Sequence, residues 1–209
     1  VQTCALPISM NATVRLSPGK AECWVATQNA EASMATLSQT SGVPLNQCEV
    51  YKMDLGGGFG RRGGNQDFVR QATQIAKQLP AGTPVKMLWT REEDLGHDFY
   101  RPIQQAKCSA GLDANGNLVG LHIRVAGQSI NAFAAPAAIK NGRDIRQLQG
   151  LWKEANMFPN DAQFGYTLPN LRIEYAMRNT HVPVGAWRGV NTNHNGIFAE
   201  CFIEECARA

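Results

Sequence analysis

The feature that most constrains this chain is Gly56-Gly57-Gly58-Phe59-Gly60-Arg61-Arg62-Gly63-Gly64, six glycines in nine positions. Glycine gives up more backbone entropy on ordering than any other residue, so this run must be a loop rather than the interior of a helix or strand. Upstream, Gln47–Met53 reads as a buried strand. Downstream, Phe68, Ala72, Ile75, Ala76 and Leu79 fall on one helical face from about Asn65, and Pro80 ends the helix. A strand, a glycine run and a helix N-terminus leave unpaired N–H groups where the helix dipole favours negative charge, so the sequence predicts an anion-binding loop. Gly58-x-Gly60-x-x-Gly63 also satisfies the dinucleotide-binding pattern, with Glu92 beyond the next strand. A Rossmann-like nucleotide-binding module therefore stands as an alternative, as does a bare turn in a non-catalytic interaction domain. A P-loop is excluded, because no Lys-Ser or Lys-Thr follows the glycines.

The rest of the chain reads as short alternating elements. Ala12–Leu16 and Ala21–Thr27 flank Ser17-Pro18-Gly19-Lys20, a hairpin signal. Asn29 is placed to cap a helix that runs to about Ser41, with Gly42 just beyond it. Pro84–Trp89 reads as a strand, and Thr90-Arg91-Glu92-Glu93 as the capping box of a short helix. Asn115-Gly116 between Gln104–Leu112 and Asn117–Gln128 predicts a second hairpin. Leu171–Met177 reads as a strand, and a helix is expected from Phe198. Residues 126–159 show no clear period, and any linker is expected there. We read no internal repeat. Hairpins mixed with helices give an α+β fold of mixed sheets with packed helices.

Composition removes several function classes. Of 209 residues, 44% are hydrophobic and 18% charged, as in a globular chain, and the net charge is only +3. Lys and Arg are scattered, so no nucleic-acid surface is indicated. Six cysteines without a C-x-x-C and four histidines without paired spacing argue against a zinc site or a cluster ligated by this chain. Buried free thiols are expected instead. No apolar run reaches the roughly 18 residues of a membrane span. Val1–Ile8 reads V-Q-T-C-A-L-P-I, which one codon choice turns into the end of a common sequencing adapter. We expect residues 1–9 to be read-through and 10–209 to be a partial domain truncated at both ends.

The chain resembles the large subunits of molybdenum hydroxylases, the xanthine dehydrogenase and aldehyde oxidase family. Thr27-Gln28-Asn29, Met53-Asp54-Leu55-Gly56-Gly57-Gly58-Phe59-Gly60 and Gly185-Ala186-Trp187-Arg188-Gly189 occur in that family's order. Between them, Trp89-Thr90-Arg91-Glu92-Glu93-Asp94, Tyr100-Arg101-Pro102 and Tyr166-Thr167-Leu168-Pro169-Asn170 resemble further family segments, although the histidine usual after the arginine is missing. Asn193-His194-Asn195 and Glu200-Cys201-Phe202-Ile203-Glu204-Glu205 are most similar to the isoquinoline 1-oxidoreductase β-subunit branch. The resemblance spans about Met10 to the end.

The resemblance implies a fold, a cofactor, residue roles and a reaction. The fold is a molybdenum-cofactor-binding domain, here incomplete. The cofactor is a molybdopterin, in its cytosine dinucleotide form in many bacterial members, and its dithiolene holds the metal without a protein ligand. Gln28 would hydrogen-bond an oxygen ligand of the metal, since an amide donates without adding charge. Gly57, Gly58, Phe59 and Gly60 would line the cofactor, and Arg188 would add backbone and charge near the pterin. Arg101 would orient substrate or stabilise developing negative charge, or else serve as a surface ion-pair partner. Trp187 is expected to pack in a core. Gly63 stands where xanthine-specific members carry a glutamate, and Val190 where they carry a phenylalanine. The implied substrate is therefore a less polar N-heterocycle or an aldehyde rather than xanthine. The implied reaction is hydroxylation with water as the oxygen source, with electrons leaving through a small [2Fe–2S] subunit. Its general base, a glutamate, lies in a segment beyond Ala209, so no catalytic residue is assigned here. The compartment, bacterial cytoplasm or periplasm, is left undecided. This reading needs Gln28, Phe59 and Arg188 at one ligand.

Overall fold

The computed structural model describes residues 9–151 and 164–209. The expected read-through falls outside the described residues except for Ser9, as do 152–159 of the aperiodic stretch. Ser9 is buried, and its carbonyl accepts a hydrogen bond from Arg62 Nη2 at 2.9 Å. The chain divides into two compact units, Val1–Asp98 and Phe99–Ala209. The division falls well before the aperiodic stretch, because residues 126–151 pack within the second unit's own core instead of linking two bodies.

The first unit runs β1 (Asn11–Ser17), β2 (Lys20–Val25), α1 (Ala30–Ser41), β3 (Cys48–Lys52), α2 (Asp67–Ala76), β4 (Pro84–Leu88) and α3 (Arg91–Gly96). Its sheet has the order β3-β2-β1-β4. β1 pairs antiparallel with β2 and β4, while β2 and β3 are parallel. Ser17 pairs with Lys20 to close a two-residue turn whose Gly19 sits at φ 71°, a conformation open to glycine at little cost. Asn29 caps α1 by accepting from the N–H of Ala32, and Gly42 ends it at φ 82°. Thr90 caps α3 by accepting from Glu93. Alternate residues Ala12 and Val14, and Ala21, Cys23 and Val25, turn inward to meet Leu37 of α1 and Phe68, Val69 and Ala72 of α2. Phe68 is fully buried, a side chain that contributes roughly 2–3 kcal/mol. The helical face differs from the expected one. Ile75 and Leu79 are 42% and 44% exposed, and the buried stripe is Phe68, Val69, Ala72, Thr73 and Ala76. Thr73 tolerates burial because its hydroxyl donates to the Val69 carbonyl at 2.7 Å.

The second unit runs β5 (Gln104–Leu112), β6 (Leu118–Gly127), α4 (Ile130–Ala134), β7 (Leu171–Met177) and α5 (Thr192–Arg208). β5 and β6 form the expected hairpin, with Gly116 at φ 82° and the Asp113 carboxylate accepting from the N–H groups of Asn115 and Asn117. β7 lies parallel to β6. Leu121, Ile123 and Val125 face a core with Leu148, Leu151, Phe164 and Ala199. α5 begins six residues before the apolar run that announces it, because Asn195 is buried and its Nδ2 donates to the carbonyls of Gln147 and Gln149.

The two units repeat one order, contrary to the sequence reading. Each has an antiparallel hairpin, a helix, a third strand parallel to the second, and a loop leading into a second helix. The loops, 53–66 and 178–191, are equal in length. Val25-Ala26-Thr27-Gln28-Asn29 and Val125-Ala126-Gly127-Gln128-Ser129 occupy equivalent places, and Asn29 and Ser129 both cap the helix that follows.

Candidate functional site

Parallel pairing of β2 with β3 sets the carboxyl ends of both strands side by side, so the turn after β2 and the loop after β3 emerge together. Gln28 stands on that turn. Its backbone N–H donates to the Arg62 carbonyl at 3.0 Å, and its side-chain Oε1 accepts from the N–H of Gly60 at 2.9 Å. That donor fixes the amide's orientation: the oxygen is consumed, and Nε2 is left as a donor with no partner among the described residues. Gly58 explains the seat. A Cβ there would lie 2.5 Å from Gln28 Oε1 and 2.6 Å from its Cδ, so any larger residue displaces the carboxamide.

Gly57, Phe59 and Gly60 have φ values of 148°, 49° and 94°. Three positive values in four residues bend the backbone into a concave turn of the kind that presents N–H groups to an anion. Phe59 is no glycine, and its left-handed conformation is strain held at a site. The N–H groups of Gly57 and Gly58 have no acceptor among the described residues, although Gly57 is half-buried and Gly58 buried. One free amide donor, two unclaimed backbone donors and an aromatic ring suit a polar, planar, partly anionic ligand. They do not make a metal ligand set, and no His/Cys/Asp/Glu cluster able to hold a metal ion occurs among the described residues.

The loop is held by residues the sequence did not single out. Arg61 is 8% exposed and binds Asp67 through both Nη atoms at 3.0 and 2.7 Å, with its guanidinium 5.6 Å from the Trp89 ring centroid. Arg62 is 3% exposed and donates to the carbonyls of Ala26 and Ser9. Burial pushes its guanidinium below the ordinary arginine value. Thr27 Oγ1 donates to the Arg62 carbonyl, Ser33 Oγ donates to Gln66 Oε1 at 2.6 Å, and Gln66 Nε2 donates to Gly63 O at 2.9 Å. The only hint in the sequence was two adjacent arginines beside glycines. Gly63 is half-buried, and its N–H donates to Gly60 O at 3.0 Å.

The remaining sequence-predicted residues lie in the second unit. Arg101 makes no ion pair among the described residues. Its Nη1 and Nη2 donate to the carbonyls of Val190 and Arg188, both at 3.1 Å. Val190 sits at φ 46°, which is costly for a β-branched residue, after Gly189 at φ 78°. Gly185 is pressed against Phe99, where a Cβ would come within 2.6 Å. Arg188 is exposed, and Trp187 is 43% exposed rather than packed in a core. His194 lies nearby with both ring nitrogens buried and without a hydrogen-bond partner among the described residues. Burial, then the charge of Arg101, lowers its pKa to about 4. The structure thus gathers Gln28, Gly57, Gly58, Phe59, Gly60 and Gly63 in the first unit, and Arg101, Arg188 and Val190 in the second.

A dinucleotide site of Rossmann type is not built here. The strands on either side of α2, β3 and β4, are at opposite edges of the sheet with β2 and antiparallel β1 between them. Glu92 is exposed in the first turn of α3, where hydrogen bonds from its own backbone and from Thr90 hold its carboxyl below the ordinary value. It acts as a helix-start carboxylate rather than a ribose ligand.

Residues 7–209 match the family model of the molybdopterin cofactor-binding domain. The chain is 27% identical over 204 residues to xanthine dehydrogenase/oxidase of Rattus norvegicus, covering 96% of this chain and 14% of that protein. It is 25% identical over 191 residues to isoquinoline 1-oxidoreductase subunit beta of Brevundimonas diminuta, covering 91% of this chain and 23% of that one. The fold superimposes on quinoline 2-oxidoreductase from Pseudomonas putida 86 with a TM-score of 0.69 at 21% identity, covering 98% of this chain and 25% of that chain. The chain therefore spans less than a quarter of the length of the rat and Brevundimonas relatives.

Proposed function

The chain belongs to the molybdopterin cofactor-binding domain family, and from that premise we propose that it supplies cofactor-holding residues of an oxidoreductase that hydroxylates an N-heterocycle or oxidises an aldehyde. The observation that carries this reading is the Gln28 carboxamide, fixed by Gly60 with its Nε2 unclaimed beside a glycine bend. When bound, a molybdenum-bearing pterin supplies a two-electron acceptor for oxidation with water as the oxygen source. Gln28 would donate from Nε2 to the bound cofactor at its metal end. Gly57, Gly58 and Gly60 let the backbone approach the cofactor, and Phe59 covers it with an apolar ring. Arg188 provides charge to the pterin, and Arg101 fixes the backbone from which Arg188 projects. Gly63 and Val190 leave the substrate side without a carboxylate or an aromatic ring, which favours a less polar ring or an aldehyde. The cytosine dinucleotide form of the cofactor and a small [2Fe–2S] partner subunit complete the proposal. No residue of the chain is assigned as the base, and the chain expressed alone is expected neither to retain the cofactor tightly nor to turn over.

The test is expression of the whole subunit from its natural gene in a host that makes the cofactor. Molybdenum content and the nucleotide released by acid hydrolysis are then measured. Stoichiometric metal with cytidine monophosphate is expected. A folded, full-length subunit without pterin would overturn the proposal.

A further inference from the structure

The outer face of the β5–β6–β7 sheet carries charge and shape that the cofactor reading does not use. Leu121, Ile123 and Val125 point to the core, so their neighbours His122 and Arg124 point out. Register lines up Lys107, Arg124 and Glu174 in one row across the three strands, and Ser109, His122 and Arg172 in the next. Glu174 is the only carboxylate on this face among the described residues, and it is fully engaged. His122 Nε2 lies 2.9 Å from its Oε2, Arg124 binds the same oxygen at 2.8 Å, and Arg172 binds Oε1. These hydrogen bonds, from His122, Arg172 and Arg124 in that order, hold its carboxyl at about 2. One carboxylate cannot neutralise both Arg124 and Arg172. Lys107 is exposed and has no ion-pair partner among the described residues.

The equivalent face of the first unit is a control. There Arg15 and Lys20 meet Glu22 and Glu49, with Trp24 stacked on Tyr51 at 5.0 Å, and Lys86 beside Thr13 is the one cation left over among the described residues. The second face leaves two over, since Lys107, Arg124 and Arg172 share Glu174.

Its shape is also unusual. Gly111 on β5 pairs with Gly120 on β6 at the hairpin end. Neither has a positive φ, and a Cβ on either would meet nothing closer than 3.8 Å. Internal packing therefore does not require these glycines, and each weakens its strand. Their missing side chains floor a recess of about 540 Å³ rimmed by Ser109, His122, Asn170 and Arg172. Both glycines adjoin a register shift between Gly111 and Leu112, a bulge of the kind strand glycines often mark, and the open space above them leaves the backbone accessible to another molecule.

We propose that this face is a docking surface for an acidic segment of a protein partner, with one partner carboxylate seated in the glycine-floored recess between His122 and Arg172. Charge complementarity selects the occupant. A single-stranded nucleic acid is disfavoured because, among the described residues, the face presents no Phe, Tyr or Trp on which bases could stack. None of these residues is among those assigned to the cofactor, so the surface and the cofactor site can fail separately.

The experiment uses the full chain and a fluorescein-labelled Glu-rich peptide, with anisotropy read at low and physiological ionic strength. Two variants isolate the surface. Lys107→Glu reverses a charge outside the Glu174 network. Gly120→Val fills the recess with a better strand former. We expect salt-sensitive peptide binding that Lys107→Glu weakens on the order of tenfold. Gly120→Val should weaken it as well while leaving thermal stability equal or higher, opposite signs that a folding defect cannot produce. Binding by both variants as tight as by the parent would overturn the proposal, as would no binding by the parent. Preferential binding of duplex DNA or of phosphatidylserine vesicles, lost in the same variants, would also overturn it.

Discussion

The two units put the same residues in the same topological place and use them differently. Gln28 and Gln128 each follow a Val-Ala pair at the end of a central strand and precede a helix cap. Gln28 is exposed, accepts one hydrogen bond from the glycine loop and keeps a free donor. Gln128 is 2% exposed and fully occupied: it accepts from the N–H of Ile103 and donates to Thr180 Oγ1 and the Val182 carbonyl. The neighbouring loop makes the difference. A glycine bend leaves space beside Gln28, whereas Thr180 and Val182 fill the space beside Gln128. A strand-end glutamine is thus a ligand group or an internal staple according to what the parallel neighbour's loop leaves open.

The sharpest way to break this comparison is to remove both amides. Gln128→Ala leaves a buried N–H and its acceptors unsatisfied and should cost roughly 2–4 kcal/mol, whereas Gln28→Ala should cost less than about 1 kcal/mol. Denaturant unfolding with hydrogen-exchange mass spectrometry resolves the two, with lost protection confined to residues 99–209 for Gln128→Ala. Equal costs would mean that the two glutamines do the same job. Next in size is Asp67→Ala, which removes both Nη hydrogen bonds from the buried Arg61 guanidinium while the 3.5 Å contact of its Nε with Asp98 remains, and should cost about 2 kcal/mol, with faster exchange in the glycine loop.

The third prediction concerns acid. His194 has a folded-state pKa of about 4 against an ordinary 6.5, so the unfolded chain takes up the proton first. The stability this contributes is complete above pH 6.5 and is lost as pH falls toward 4. The thermal midpoint should decline through that window, and His194→Leu should flatten the decline. An unchanged acid limb in the variant would remove His194 from the account. The smallest effect belongs to Val190→Gly. Release from φ 46° should leave the chain unchanged or more stable by about 0.5–1 kcal/mol in a urea titration.

Much of the fold was legible because its signals are local. Asn29, Gly42, Gly19 and Asn115-Gly116 each act within a few residues, and the elements they bound formed as expected. On α2, Ile75 and Leu79 share a period with Phe68, yet the buried stripe runs Phe68, Val69, Ala72, Thr73 and Ala76, which puts Ile75 on its flank and Leu79 beyond the helix end. The start of α5 was hidden because Asn193-His194-Asn195 reads as loop. Asn195 is helical and buried only through carbonyls 46 and 48 residues away. The same distance conceals the support of the candidate site. Thr27, Ser33, Arg62 and Gln66 meet across more than thirty residues, and no spacing rule links them. The repeat is hidden in the sequence because its two copies share little beyond Val-Ala-x-Gln.

The most direct test of the cofactor site is molybdenum and pterin content per full-length subunit in Gly58→Ala, with Gly120→Val as a control for handling a glycine elsewhere. The Cβ introduced at residue 58 collides with the Gln28 carboxamide, so a folded subunit with most of its cofactor lost is predicted, beside a control that is fully loaded. A Gly58→Ala subunit carrying its full complement of molybdenum and pterin would contradict that role for Gln28 and the glycine bend.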